Sequence, residues 1–294
     1  MPPEQLRPLL ARAAERLKQA GCETPDLDAR LLLQAATGLS REDVILEPGR
    51  SVPAGQVQRF EALIERRARR EPVSRILGER EFYGRTFRVT AETLDPRPDT
   101  ETLIDAALAL MTQGARILDL GTGTGAIAVT LLAERPDAIA LATDLSPAAL
   151  AVAAENAERA GVAERLGLRQ GSWFEPVTGV FDIIVSNPPY IPVRDIAGLS
   201  PDVRNFDPIL ALVGGADGLD PYRAISACAA RHLAEAGHVL VEIGAGQADD
   251  VAAIFAAAGF GNPEQHRDLG GHVRCLAFGP SRCEKRGPWA QPEK

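Results

Sequence analysis

The sequence predicts an α/β protein: a mostly parallel sheet with helices on both faces, preceded by a small helical bundle and a β-hairpin. Three observations predict it. Apolar residues in the first 70 positions recur at helical spacing. A short strand-like stretch with a central glycine follows at residues 81–89. From residue 96 onward, β-branched runs alternate with longer amphipathic stretches, and that alternation specifies parallel strands joined by crossover helices.

Each element has a local reason. Leu6, Leu9, Leu10, Ala13 and Leu17 share one helix face, which Gly21 ends. Thr24 and Pro25 start a second helix that runs to about residue 37 and stops at Gly38. Ser40 and Asp43 have the S-x-x-D spacing that opens a short third helix. A fourth spans about 53–70, with Val57, Phe60, Leu63 and Ile64 on one side. Residues 1–71 are thus read as a helical domain, and 72–95 as a hairpin linker whose arms include Ile76-Leu77-Gly78 and residues 81–89. Residues 96–279 form the sheet domain, with strands at 116–120, 139–143, 166–170, 181–186, 238–243 and 273–278. Its helices fall at 100–111, 125–134, 147–160, 222–235 and 247–258. The polar, proline-containing residues 280–294 are expected to be a disordered tail.

Composition excludes several classes. The chain has 294 residues, room for about two domains. No apolar run reaches the roughly 18–20 residues a membrane helix needs, and the first residues are too charged for a signal peptide. The four cysteines and four histidines lack metal-ligand spacing, so no metal is expected. Scattered thiols fit a reducing, cytoplasmic setting. Thirty-two basic and 40 acidic side chains give a net charge of −8. Residues 1–95 are near neutral, with 16 basic and 15 acidic groups, so the acidity belongs to the sheet domain. A dedicated nucleic-acid binder is usually basic, so stable nucleic-acid binding is not expected.

The end of the first sheet strand carries a cofactor signal. Asp119-Leu120 runs into Gly121-Thr122-Gly123-Thr124-Gly125. Glycines there let a ligand approach the backbone and let the next helix pack closely on the sheet. The following strand ends at Asp144, 21 residues after Gly123, where a carboxylate can accept from both hydroxyls of a ribose. A dinucleotide fold requires G-x-G-x-x-G, whereas the spacing here is G-x-G-x-G. S-adenosyl-L-methionine has no phosphate and carries cationic groups that suit the acidic Asp119, so it is the favoured cofactor. Trp173, after the third strand, is either the aromatic neighbour of its adenine or an ordinary packed tryptophan.

The fourth strand ends in Asn187-Pro188-Pro189-Tyr190. Two prolines fix the turn and remove two N–H donors, which leaves carbonyls without local partners. With the Asn187 side-chain carbonyl and the Tyr190 ring, they make an acceptor-rich slot for a planar –NH2 group. Such a nitrogen is a poor nucleophile. Accepting both its protons orients it for attack, and an activated methyl needs no strong base beforehand.

These residues resemble a known family. Asn187–Tyr190 is similar to the catalytic motif of amino-methyltransferases that act on adenine N6, guanine N2 or glutamine N5. Pro96-Arg97-Pro98-Asp99-Thr100-Glu101, Leu118 to Ala126, Val185 to Ile191, and Val203 to Arg223 resemble the release factor glutamine methyltransferases. Asp99 and Asp207 stand where that family usually has Glu, and Asp95 where an apolar residue is common. The resemblance implies a seven-stranded, Rossmann-like sheet. It implies that Gly121–Gly125, Asp144, Trp173 and Asn187 bind S-adenosyl-L-methionine. Asn187, Pro188, Pro189 and Tyr190 would bind the glutamine of the Gly-Gly-Gln motif in class 1 peptide chain release factors. Asp99, Thr100 and Glu101 open a helix and either line the pocket or only cap it. The helical domain would dock the protein partner, and the enzyme would act as a monomer. Arg66, Arg67, Arg69 and Arg70 are either a solvated helix face or a contact for an acidic release factor surface. The alternative activity is adenine-N6 or guanine-N2 methylation of DNA or ribosomal RNA. It would need a basic stripe with stacking aromatics, and aromatics are only 5% here.

Overall fold

The computed structural model describes residues 3–279. The expected tail at 280–294 lies outside the described residues. The chain opens with β1 (Glu4–Gln5), α1 (Leu6–Gln19), α2 (Pro25–Thr37) and α3 (Arg41–Leu46), then β2 (Ser51–Val52) and α4 (Ala54–Ala68). The apolar stripes read from sequence meet in one core. Leu6, Leu9 and Leu17 of α1 pack with Leu32 and Leu33 of α2 and with Val57, Phe60 and Ile64 of α4, all essentially inaccessible. β1 pairs antiparallel with β2 and ties the start of the chain across the bundle. Ser40 and Asp43 form a complete capping box. The Ser40 hydroxyl accepts from the Asp43 amide at 3.0 Å, and the Asp43 carboxylate accepts from the Ser40 amide at 2.9 Å.

One local reading changes. Ile76-Leu77-Gly78 is not a hairpin arm but the end of α5 (Val73–Leu77). Pro72 presets the entry, Ile76 faces the bundle core, and Gly78 closes the helix in the left-handed region at φ 77°. The hairpin itself is β3 (Glu79–Phe82) and β4 (Arg85–Arg88). Tyr83 and Gly84 turn it with φ of 50° and 68°, the geometry that matches strand twist.

The sheet follows α6 (Glu101–Leu110): β5 (Arg116–Leu120), α7 (Ala126–Glu134), β6 (Ile139–Asp144), α8 (Pro147–Arg159), β7 (Leu166–Gln170), β8 (Phe181–Ser186), α9 (Pro201–Phe206), α10 (Asp220–His232), β9 (Leu233–Glu242), α11 (Ala248–Ala257), β10 (Glu264–Arg267) and β11 (Val273–Phe278). The seven strands lie in the order β10-β11-β9-β8-β5-β6-β7. β7, β6, β5, β8 and β9 are parallel; β11 runs antiparallel to β9, and β10 to β11. Successive residues feed opposite cores. Ile117 and Ile183 pack under α6 and α7, together with Phe82 and Phe87 of the hairpin. Leu118 and Ile184 pack against α10 and α11. Six strands are legible in the sequence. The seventh, β10, reads Glu-Gln-His-Arg, a polar edge with no apolar alternation. The helix expected to reach residue 235 ends at His232, because Leu233 already pairs with Phe181, and the register then shifts before Ile183 meets His238.

The arginine cluster joins the two halves of the chain. Arg67 is buried between Asp28, at 2.7 Å, and Asp202 of α9, at 2.9 Å. Arg70 reaches the same Asp202 at 2.5 Å. Arg66 pairs with Glu71, and Arg69, 72% exposed, pairs with Glu65. A second clasp lies beside it: Asp207, buried, takes Arg75 at 2.7 Å and Arg97 at 2.6 Å. Removing Arg67 leaves the buried Asp28 without its cation. Arg67→Ala is expected to cost about 3–5 kcal/mol in denaturant unfolding, the range for a broken buried pair. Arg69→Ala is expected to leave the midpoint unchanged, because exposed pairs contribute little.

Candidate active site

The carboxyl ends of β5, β6 and β8 open on one cavity of about 260 Å³, where ligands of parallel sheets bind. Its floor is the glycine loop. Gly121, Gly123 and Gly125 all have positive φ, from 55° to 79°. The Gly121 and Thr122 amides both donate to the Thr143 carbonyl, at 2.9 and 3.0 Å, which locks the loop onto β6. Gly125 also sets helix spacing, because a Cβ there would lie 3.1 Å from Ala153 Cβ of α8. Gly121, Thr122, Gly123 and Thr124 line the cavity; Gly125 stands behind them.

Asp119 does not line it. The side chain is fully buried beneath the loop, and its Oδ2 accepts from the Thr122 hydroxyl at 2.6 Å. Burial pushes its carboxyl up to about 7, against the opposing pull of Thr122 and the Ala128 amide. Its visible role is to hold the loop from below. Asp144 does line the cavity. Its two oxygens accept from the Gly123 amide at 2.8 Å and the Ser146 amide at 2.9 Å, so the carboxylate is fixed in direction and keeps lone pairs for a ligand. Trp173 forms a wall, with Cζ3 3.7 Å from the Cβ position at Gly121. Its φ of 47° is unusual for a bulky residue, and its carbonyl is held by the Thr143 hydroxyl at 3.1 Å.

Asn187 and Pro189 form the opposite side. Asn187 Nδ2 donates to Thr100 Oγ1 at 3.1 Å, which leaves Oδ1 as the atom of that amide still available to a ligand. Pro188 is buried and does not itself line the cavity, although among the described residues its carbonyl accepts no hydrogen bond. Tyr190 lies behind the slot. Burial, with Glu242 close by, pushes its phenol up to about 12, so it stays neutral at physiological pH. Its carbonyl accepts from Gln247 Nε2 at 3.0 Å. Glu101 does not reach the cavity either. Its carboxylate accepts from the Tyr83 amide at 3.0 Å and holds the hairpin turn against α6. Of this opening segment, Arg97 and Thr100 line the cavity instead.

Thr100, read from the sequence as either lining the pocket or only capping a helix, does line it; its contact to Asn187 is not legible in the sequence. Two contributors are missed altogether. Gly214 packs on the slot from outside: a Cβ there would sit 2.6 Å from the Pro189 carbonyl oxygen and 2.8 Å from that of Gly218. Glu242 ends β9 under Asn187; a carboxylate at the carboxyl end of an apolar parallel strand was the available signal. Gly214→Ala is expected to displace Pro189, cost about 1–3 kcal/mol of stability as overpacking does, and lower turnover more than it weakens cofactor binding. Thermal unfolding and initial rates on one preparation check this.

Comparison with known proteins decides the family. Residues 8–78 match the PrmC N-terminal domain, and residues 97–197 the Methyltransferase small domain. The Release factor glutamine methyltransferase of Rhodospirillum rubrum is 52% identical over 269 residues, covering 91% of this chain and 83% of that one. The Agrobacterium fabrum protein of the same name is 50% identical, covering 92% and 95%. The chain belongs to the release factor glutamine methyltransferases. Like the other members, it is a methyltransferase. A solved methyltransferase from Pyrococcus furiosus superposes with a TM-score of 0.51 at 18% identity, covering 67% of this chain and 90% of that chain. At that identity the likeness concerns the fold, the seven-stranded Rossmann-like sheet of this family.

Proposed function

We propose that this methyltransferase transfers a methyl group from S-adenosyl-L-methionine to the side-chain amide nitrogen, N5, of the glutamine in the Gly-Gly-Gln motif of class 1 peptide chain release factors, and so promotes translation termination in the cytoplasm. The observation that carries the reading is the Asn187–Pro189 slot, rigid, rich in acceptors, and facing the glycine loop across one cavity.

The residues fit the cofactor. The glycine loop admits close approach of the ligand, Asp144 offers anchored lone pairs to ribose hydroxyls, and Trp173 offers an aromatic face to adenine. When bound, S-adenosyl-L-methionine supplies a methyl group already activated on a cationic sulfur. The protein's task is then orientation. Asn187 Oδ1 and the Pro188 carbonyl would accept the two amide protons of the substrate and turn its nitrogen lone pair toward the glycine loop. Pro189 and Tyr190 hold that edge in place. The proton of the cationic product can leave after transfer, so no strong base need stand at the slot.

The partner is a protein. Pro208, exposed Leu210 and Ala211 line the cavity and exposed Ile209 adjoins them, an apolar rim suited to a loop of polypeptide. The test is a partition experiment. The protein is incubated with labelled S-adenosyl-L-methionine and, in parallel, purified release factor, DNA or ribosomes. Label is expected in release factor and should vanish when the Gly-Gly-Gln glutamine is replaced. Label in nucleic acid alone would sink the proposal in favour of base methylation.

A further inference from the structure

Glu242 is 2% exposed, and its Oε2 has no hydrogen-bond partner. Burying a carboxylate without full pairing is costly, and such groups concentrate where they serve a site. Its surroundings are specific. Val241, the residue before it, is the register partner of Ser186, which sets Glu242 beside Asn187 at the carboxyl ends of β9 and β8. Thr100 and Asn187, as nearby donors, and Arg274 of β11 favour its ionised form. Asp99, paired to Arg274 at 3.0 Å, opposes it. Tyr190, Tyr222 and Cys275 complete the shell; the Tyr222 hydroxyl donates to the Glu242 carbonyl at 2.9 Å, and Cys275 is its cross-strand partner.

We infer that Glu242 is a positioning residue for methyl transfer: through Thr100 it fixes which end of the Asn187 amide faces the substrate. The inference rests on the reading that Asn187 binds the substrate nitrogen. An asparagine amide has two orientations of nearly equal shape, one presenting an acceptor and the other two donors. Only the first can receive a substrate –NH2 group. An ionised carboxylate can only accept. It therefore takes the single Thr100 proton, which leaves the Thr100 oxygen to accept from Asn187 Nδ2, the 3.1 Å contact observed. The direction of the whole chain is set at its buried end. A protonated Glu242 could donate to Thr100 instead, Thr100 could then donate to Asn187 Oδ1, and the amide would be free to flip.

The sign for activity follows. Burial raises the Glu242 carboxyl to about 7, and the ionised form is the productive one. Turnover should therefore fall as pH drops through about 7, with a one-proton dependence that belongs to kcat. Glu242→Gln, whose amide can donate or accept, is expected to lower kcat about tenfold and to flatten that limb. The KM for release factor and the Kd for cofactor should stay within about twofold. Asn187→Ala is measured beside it. If Asn187→Ala abolishes turnover while Glu242→Gln matches wild type with an unchanged pH profile, this inference is overturned and the slot stands. If Asn187→Ala is itself fully active, the slot reading fails and takes this inference with it. Should Glu242→Gln not fold, Thr100 decides. Thr100→Ser is expected to retain turnover and Thr100→Val to lose about tenfold; a Thr100→Val enzyme as fast as wild type overturns the inference.

Discussion

Asn187→Ala is expected to lower kcat about 100-fold or more while the Kd for S-adenosyl-L-methionine changes by no more than about threefold. The asymmetry is the informative part. On the proposed reading the cofactor is held mainly by the glycine loop, Asp144 and Trp173, which line the cavity and which the substitution leaves in place. What it removes is a single acceptor already turned by Thr100. Preorganised acceptors of this kind act on the transition state because they need no reorganisation when the bond forms. Loss of one therefore appears in turnover. Single-turnover rates with saturating cofactor, alongside calorimetric cofactor titration, separate the two quantities. Equal losses in kcat and cofactor affinity would mean that Asn187 is chiefly part of the cofactor pocket.

Asp144→Ala should show the opposite pattern. Each hydrogen bond from a hydroxyl to an ionised acceptor contributes about 1.5–3 kcal/mol, so losing two corresponds to a rise in Kd of about 100-fold or more. The substitution also releases the Gly123 and Ser146 amides, which the carboxylate now holds at 2.8 and 2.9 Å. The loop should loosen as well, which adds to the loss. Turnover at saturating cofactor should fall far less than in Asn187→Ala. Asp144→Asn keeps one acceptor and should lie between. An unchanged Kd for Asp144→Ala would remove the ribose role from this residue.

What could be read from the sequence divides along a physical line. Local signals were legible: the apolar stripes of α1, α2 and α4, the Ser40–Asp43 box, the glycine loop, and the aspartate closing β6. Each depends on residues near one another in the chain. Edges and long-range partners were not. β10 is too polar to announce a strand, and Ile76-Leu77-Gly78 is as apolar as a strand yet ends a helix because Pro72 and Gly78 bracket it. Arg66, Arg67, Arg69 and Arg70 look alike in the sequence. Only the fold shows that Arg67 and Arg70 share Asp202, a residue more than 130 positions away, while Arg69 stays in solvent. That pairing leaves less free positive charge for an acidic partner than the cluster suggested. The same distinction explains Thr100 and Glu242, since these two and Asn187 come from three separate segments.

The central claim is that the slot presents a protein glutamine amide to the methyl donor, and it is tested most directly by locating the methyl group. Release factor is incubated with this enzyme and S-adenosyl-L-methionine, digested, and sequenced by tandem mass spectrometry. The account predicts one added methyl on the side-chain nitrogen of the Gly-Gly-Gln glutamine, formed about 100-fold or more slowly when the enzyme carries Asn187→Ala. A methyl on any other residue, or an unmodified release factor beside methylated ribosomal RNA, would contradict it.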